Sequence, residues 1–180
     1  MFLIISSSLH PTSRSRILAR AAQAHFADAG HQTQLFDLAV DSLPPCDGAT
    51  AYGHENVQRL AGLIGNAKAI TIASPVYNYD VNAAIKNAVE LTGKSWTGKV
   101  VSMLLAAGGQ GSYMSAMGLA NSLMLDFRCL IVPRFVYATG DAFEGNDLAD
   151  EDIAGRVQRV VQETMHLADA IEKAPRSHTS

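Results

Sequence analysis

Three short runs, Phe2–Ile5, Ala69–Ala73 and Val100–Ala107, are almost uninterrupted by polar residues. A strand with one wet face alternates polar and apolar residues. A strand that stays apolar along its length is covered on both faces, and that happens mainly in parallel sheets flanked by helices. Gln32–Phe36 and the pair Arg128–Val132 with Phe135–Ala138 read as further strands.

Between these runs the apolar period changes from continuous to three-and-four. Ile17, Leu18, Ala21, Ala24, His25 and Ala29 follow Ser13 at helical spacing, and Gly30 stops the helix. Val57, Leu60, Ala61 and Ile64 mark a second helix, Asn82–Leu91 a third and Tyr113–Leu125 a methionine-rich fourth. Ile153, Val157, Val160, Val161, Thr164 and Ala168 mark a long fifth. Asp37–Ala51, with Pro44, Pro45 and Gly48, reads as a turn-rich excursion, and Ser74–Asp80 and Thr139–Asp150 read as loops.

Strands alternating with helices build right-handed βαβ units. The expectation is an α/β, three-layer, doubly wound fold with a five-stranded parallel sheet in the order 2-1-3-4-5. A chain of 180 residues suits one domain. Its span is expected to be residues 1–173, with 174–180 as a disordered tail. In such a sheet ligands bind outside the carboxyl ends of the strands, where the order reverses between the first and third strands.

Composition narrows the partners. With 14 basic and 17 acidic residues the formal net charge is -3, so no basic field draws in nucleic acid. Any anion must be held locally. Cys46 and Cys129 lie far apart without a metal-ligand spacing and read as buried thiols, not as a disulfide or a zinc site. The apolar run at Met1–Ile5 ends at Ser6, too short for a signal segment or a membrane span. A cytoplasmic protein is expected, with no nucleic-acid or membrane partner.

The chemistry then falls to three loops. The first, Ser6–Ser15, carries five serines and Thr12 and enters a helix at its positive end, which suits a phosphate. The plainer reading makes Thr12 or Ser13 a helix cap. The second, Pro75-Val-Tyr-Asn-Tyr79, sets two phenols and an amide beside a strand end, as a flat heteroaromatic edge needs. Ordinary turn chemistry, with Tyr77 and Tyr79 half-buried, is the alternative. The third, Gly108-Gly-Gln-Gly111, either lets backbone approach a ligand or merely permits a tight turn.

Other motifs drop out. Ala88–Ser95 fits a relaxed phosphate-loop pattern but lies between helix and strand, the reverse of what that motif needs. Gly109–Met114 lacks the third glycine of a dinucleotide fingerprint, and no G-x-S-x-G nucleophile elbow occurs.

Taken together, the three loops resemble the NADPH-dependent FMN reductase family of flavodoxin-like proteins. In the first, Ser8, Ser13 and Ser15 match the family's G-S-x-R-x-x-S-x-N/S element, with Ser7 in place of glycine and His10 in place of arginine. In the second, Pro75, Tyr77 and Asn78 match P-E-Y-N-G, and Lys86, Asn87 and Ala88 match the following L-K-N-A. Val76 and Tyr79 depart from it, and the third loop resembles a G-G-x-G segment.

The resemblance runs from Phe2 to about Ala170 and implies a flavodoxin-like FMN enzyme. By it Ser8, His10, Ser13 and Ser15 would hold the FMN phosphate, with Arg14 compensating for the lost arginine. Pro75, Val76, Tyr77 and Asn78, with Gly108, Gly109, Gln110 and Gly111, would line the flavin ring. Lys86 and Asn87 are expected to serve packing and capping. NADPH or NADH would supply hydride for a small acceptor such as free flavin, a quinone, an azo compound or a metal oxyanion. No side-chain acid or base and no metal is required. A homodimer or homotetramer is implied. The competing reading is a flavodoxin-type electron carrier that does not use NAD(P)H, to which a charge of -3 lends little acidic docking surface.

Overall fold

In the computed structural model, which describes residues 1–174, the first apolar run becomes β1 (Phe2–Ser6), buried along its whole length. α1 (Arg14–Asp28) leads back to β2 (Thr33–Asp37), which pairs in parallel with one edge of β1. α2 (Glu55–Asn66) then leads to β3 (Ala69–Tyr77), parallel to β1 on its other edge. β4 (Asp80–Val81) folds back antiparallel on the tip of β3. After α3 (Ala83–Thr92), β5 (Val100–Ala106) pairs in parallel with β3. α4 (Met117–Phe127) precedes two short segments, β6 (Leu130–Ile131) and β7 (Val136–Ala138), both parallel to β5.

Leaving aside the antiparallel β4 and taking β6 and β7 as halves of one strand, the sheet has five parallel strands in the order β2-β1-β3-β5-β6/β7, which is 2-1-3-4-5 by chain order, a flavodoxin-like arrangement. Pro133 lies in the gap between the halves. It has no N–H to give the ladder, which accounts for the break. α5 (Glu151–Lys173) closes the fold.

Each inner strand sends alternate residues to opposite faces, and both faces are covered. Phe2, Ile4 and Leu104 pack with Leu18 and Phe26 of α1 and Val157 and Val161 of α5. Leu3, Ile5, Ile72 and Met103 pack with Leu60 and Ile64 of α2, Ile85 of α3 and Leu123 of α4. α1 and α3 therefore leave their strands toward opposite faces, which opens a crevice between the ends of β1 and β3.

Several local expectations change. Ser74–Tyr77 continue β3 instead of forming a loop, because Ser74 and Pro75 still pair with Leu105 and Ala106. The β1 ladder has ended at Ser6↔Ala73, so Pro75 withholds no N–H from it. α4 starts at Met117, four residues after the expected Tyr113, because the glycine-rich stretch before it folds as 3-10 turns over Gln110–Ala116, broken at Ser112. Arg128 is the left-handed cap of α4, so the fifth strand begins only at Leu130. Thr139–Asp150 is not a plain loop. It holds a 3-10 turn, Gly140–Ala142, and a hairpin of β8 (Phe143–Glu144) and β9 (Asp147–Leu148).

Cys129 is buried, as expected, and burial pushes its thiol up to about 11; Cys46 is only half-buried. Of the expected tail, residues 175–180 lie outside the described residues. Among the described residues no helix is long and apolar enough to cross a membrane.

Candidate functional site

The crevice between β1 and β3 is a cleft of about 280 Å³ in which all three loops meet. Ser8, His10, Thr12, Ser13, Arg14 and Ser15 line it from the first loop and the start of α1. Pro75, Val76 and Tyr77 line it from the end of β3, and Ala106, Ala107 and Gly108 from the end of β5. Of the expected residues, Asn78, Gly109, Gln110 and Gly111 do not line it. Asn78 sits at the turn of the β3–β4 hairpin with φ 51°. Gly109 offers its carbonyl to the Tyr137 hydroxyl, and Gln110 Nε2 donates to Thr139 Oγ1 at 3.4 Å. Thr12, one of the hydroxyls expected in the first loop, lines it too, and Ala106 and Ala107 are additions to the expected set.

The first loop is shaped by its own polar side chains. Ser8 Oγ, itself buried, accepts from the His10 N–H at 3.2 Å, and His10 Nδ1 accepts from the Thr12 N–H at 3.3 Å. Ser13 occupies the N-cap position of α1 but does not cap it: its hydroxyl pairs with that of Ser15 at 2.8 Å. The first turn of α1 carries no acidic residue, and no carboxylate is among the cleft's lining residues. A helix start whose N–H groups are not taken by a cap, ringed by hydroxyls and free of carboxylates, fits an anionic phosphate.

Two arginines at this helix end have different tasks. Arg14 lies along the cleft rim, its guanidinium 5.9 Å above the centre of the Phe143 ring. Its tip packs on Gly140, where a Cβ would come within 2.7 Å of Nη1 and the guanidinium would have to shift to admit it. The Thr139 hydroxyl, with the Arg14 charge as a lesser influence, holds the neighbouring Asp141 carboxyl below its usual range. Arg16, which the sequence reading did not select, is buried and reaches Asp37 through Nε at 2.7 Å and Nη2 at 2.9 Å. Its remaining nitrogen donates to the Pro11 carbonyl, pinning the loop to the end of β2. The available signal was an arginine on the buried side of an apolar helix, which demands a carboxylate partner.

Asn82 was also missed. It is buried and bonded to Ser7 and Ser74 beneath the cleft. Lys86 pairs with Asp80 at the surface, and Asn87 holds the 44–46 segment through Pro44 O at 2.9 Å and the Cys46 N–H at 2.8 Å. Neither lines the cleft. A larger groove of about 870 Å³ runs along α3 and α4, lined by Cys46, Tyr52, Glu90, Gly118 and Asp126 among others. It touches Asp80 of the β3–β4 hairpin but gathers none of the three loops, which leaves the smaller cleft as the candidate site.

A phosphate-fitting helix end at the switch point of a flavodoxin-like sheet is an arrangement in which α/β proteins bind mononucleotides. Comparison with known proteins takes this further: residues 1–144 match the family described as NADPH-dependent FMN reductase, and the chain belongs to that family of flavoprotein oxidoreductases. An NAD(P)H-dependent FAD/FMN reductase of Geobacillus thermodenitrificans is 27% identical over 137 residues, covering 74% of each chain. An NADPH azoreductase of Bacillus sp. strain OY1-2 is 24% identical over 163 residues, covering 89% of this chain and 88% of the other. In fold the chain is similar to FerB, a flavoenzyme NAD(P)H:(acceptor) oxidoreductase from Paracoccus denitrificans, with TM-score 0.76 and 22% identity over 94% of this chain and 97% of that one.

Proposed function

We propose that residues 1–173 act as one FMN-binding domain that passes reducing equivalents from NAD(P)H to a small acceptor: free flavin, a quinone, an azo compound or a metal oxyanion. The observation that carries this reading is the meeting of an uncapped, hydroxyl-ringed helix start with the ends of β3 and β5 in one cleft. Ser8, His10, Ser13, Arg14 and Ser15 would hold the FMN phosphate. Pro75, Val76, Tyr77 and Gly108 of the cleft lining would face the flavin ring, and Asn78, Gly109, Gln110 and Gly111, just outside that lining, would flank its exposed edge. When bound, FMN supplies the hydride-accepting and electron-donating chemistry.

The chain's own part is position and exclusion of water. The helix end and hydroxyls fix the anionic end of the cofactor, and the β3 tip and third loop wall off the other end. Tyr77 and Tyr79 are both more than half exposed and would offer phenol rings on which an incoming planar acceptor stacks. A homodimer or homotetramer is supported by Met114, Met117, Met124 and Leu125, which stand exposed on and before α4. Two free thiols support a cytoplasmic location.

The test is direct. Purified protein should be yellow, or turn yellow with added FMN, and should bleach when NADPH is added without oxygen. A colourless protein that fails to retain FMN refutes the reading, and bound flavin that NADPH leaves oxidised refutes the NAD(P)H step.

A further inference from the structure

Asn82 stands at the N-cap position of α3, where an asparagine ordinarily accepts from the first free N–H groups of the helix. Here its side chain makes no cap hydrogen bond at all. It turns back under the sheet instead. Its Oδ1 accepts from the Ser7 hydroxyl at 2.8 Å and from the Ser74 hydroxyl at 3.1 Å, and its Nδ2 donates to the Ser7 carbonyl at 2.7 Å. Its own N–H donates to Ser74 Oγ at 3.3 Å. Asn82 is 5% exposed, and Ser7 and Ser74 are fully buried.

The position of this knot matters. Ser6↔Ala73 is the last pair of the β1–β3 ladder, and the Ser7 N–H adds a final backbone bond to the Ala73 carbonyl at 2.9 Å, so the two chains separate from Ser7 and Ser74 onward. From Ser7 the chain runs into the loop with the hydroxyls and the α1 start. From Ser74 it runs into the β3 tip with Pro75, Val76 and Tyr77. One amide therefore bonds both walls of the cleft at their root, with both of its polar groups used, in a region where water cannot substitute.

We propose that Asn82 is a positioning residue that sets the spacing between the phosphate-holding loop and the ring-facing tip of β3. The proposal rests on the FMN reading of the cleft. A ligand that spans both walls feels that spacing, whereas one that engages only the ring-facing wall does not. FMN and riboflavin differ by the phosphate alone and make this separation. A helix that forgoes its cap to satisfy a bond elsewhere implies that the tie is worth more than the cap.

The experiment titrates the full-length apoprotein with FMN and with riboflavin, following flavin fluorescence, for the natural sequence and for Asn82→Ala. Ser74→Ala, which removes one hydroxyl and leaves the backbone intact, serves if Asn82→Ala does not fold. Expected is a loss of FMN affinity of about tenfold or more in Asn82→Ala, with riboflavin affinity held within about twofold. Ser74→Ala should show a smaller shift in the same direction. Equal losses for the two ligands would reduce Asn82 to general fold support and overturn the proposal, as would an unchanged FMN affinity. If the natural protein binds neither flavin, the cleft reading itself falls, an outcome visible before any variant is made.

Discussion

Replacing Arg16 by methionine should destabilise the fold by about 3 kcal/mol, although the residue touches no ligand. The size follows from burial. The two side chains of the Arg16–Asp37 pair are 10% and 14% exposed, and two nitrogens of the fork meet the carboxylate at 2.7 and 2.9 Å. An exposed pair would contribute only about 0–1 kcal/mol, while removing one partner of a buried pair costs about 3–5 kcal/mol because a charge is stranded. Asp37 Oδ1 keeps the Ala39 N–H at 3.1 Å, which places the loss at the lower end. For a chain of this size that corresponds to roughly 6–12 °C in Tm. Thermal and urea melts of Arg16→Met, Asp37→Asn and the double variant test it. The double variant strands no charge and should lose at least about 1 kcal/mol less than the sum of the singles. Additive losses, or a loss below about 1 kcal/mol in Arg16→Met, would show that solvent already screens the pair.

Tyr79 holds φ 66° in the two-residue turn between β3 and β4, a region where an L side chain costs about 1–2 kcal/mol and glycine nothing. Tyr79→Gly should therefore raise stability in urea melts by roughly 0.5–1 kcal/mol after glycine's extra chain entropy, and a destabilised variant would refute the strain. The Asp47 carboxyl is held at about 2 by the Ala49 N–H, then by the Thr50 hydroxyl and the Ala51 N–H. Because it is lowered from 3.8, its contribution is whole above that value and fades as pH falls toward about 2; an NMR titration with an ordinary midpoint would contradict this. In native protein at pH 8 a thiol reagent should modify Cys46 alone, since Cys129 is buried with its thiol pushed up to about 11. Two fast-reacting thiols would overturn that assignment. Replacing His10 and Ser13 together by alanine should weaken FMN binding about tenfold, and unchanged affinity in an equilibrium titration would move the phosphate elsewhere.

The sheet was legible because burial on both faces removes alternation, and a run such as Phe2–Ile5 records that directly in its composition. The three loops were legible because hydroxyls, aromatics and glycines cluster at strand ends. What escaped was pairing at a distance. Arg16 and Asp37 are 21 residues apart, and Asn82 and Ser7 are 75 apart, so no local pattern links them. The start of α4 was misplaced because helical spacing of apolar residues continues through Tyr113 and Met114 while the glycines before them favour a tighter turn. The β3 tip read as a loop because Pro75 signals a break in a strand whose neighbour has not ended. Here β1 ends first.

A chain of net charge -3 holds its candidate anion site with hardly a free cation. Arg16 is taken by Asp37 and the Pro11 carbonyl, and Arg14 rests on Gly140 and Phe143. Beside Arg14, what remains are N–H groups at a helix start and the hydroxyls around it, each weak and each directional. Directional neutral donors contribute only when held in place, because any freedom they keep must be given up on binding. The loop is accordingly fixed at two points, by Arg16 from the β2 side and by Asn82 from the β3 side. Affinity in this site is thus a property of the supports beneath the loop as much as of the groups that face the ligand, and the supports are where substitution separates binding from charge.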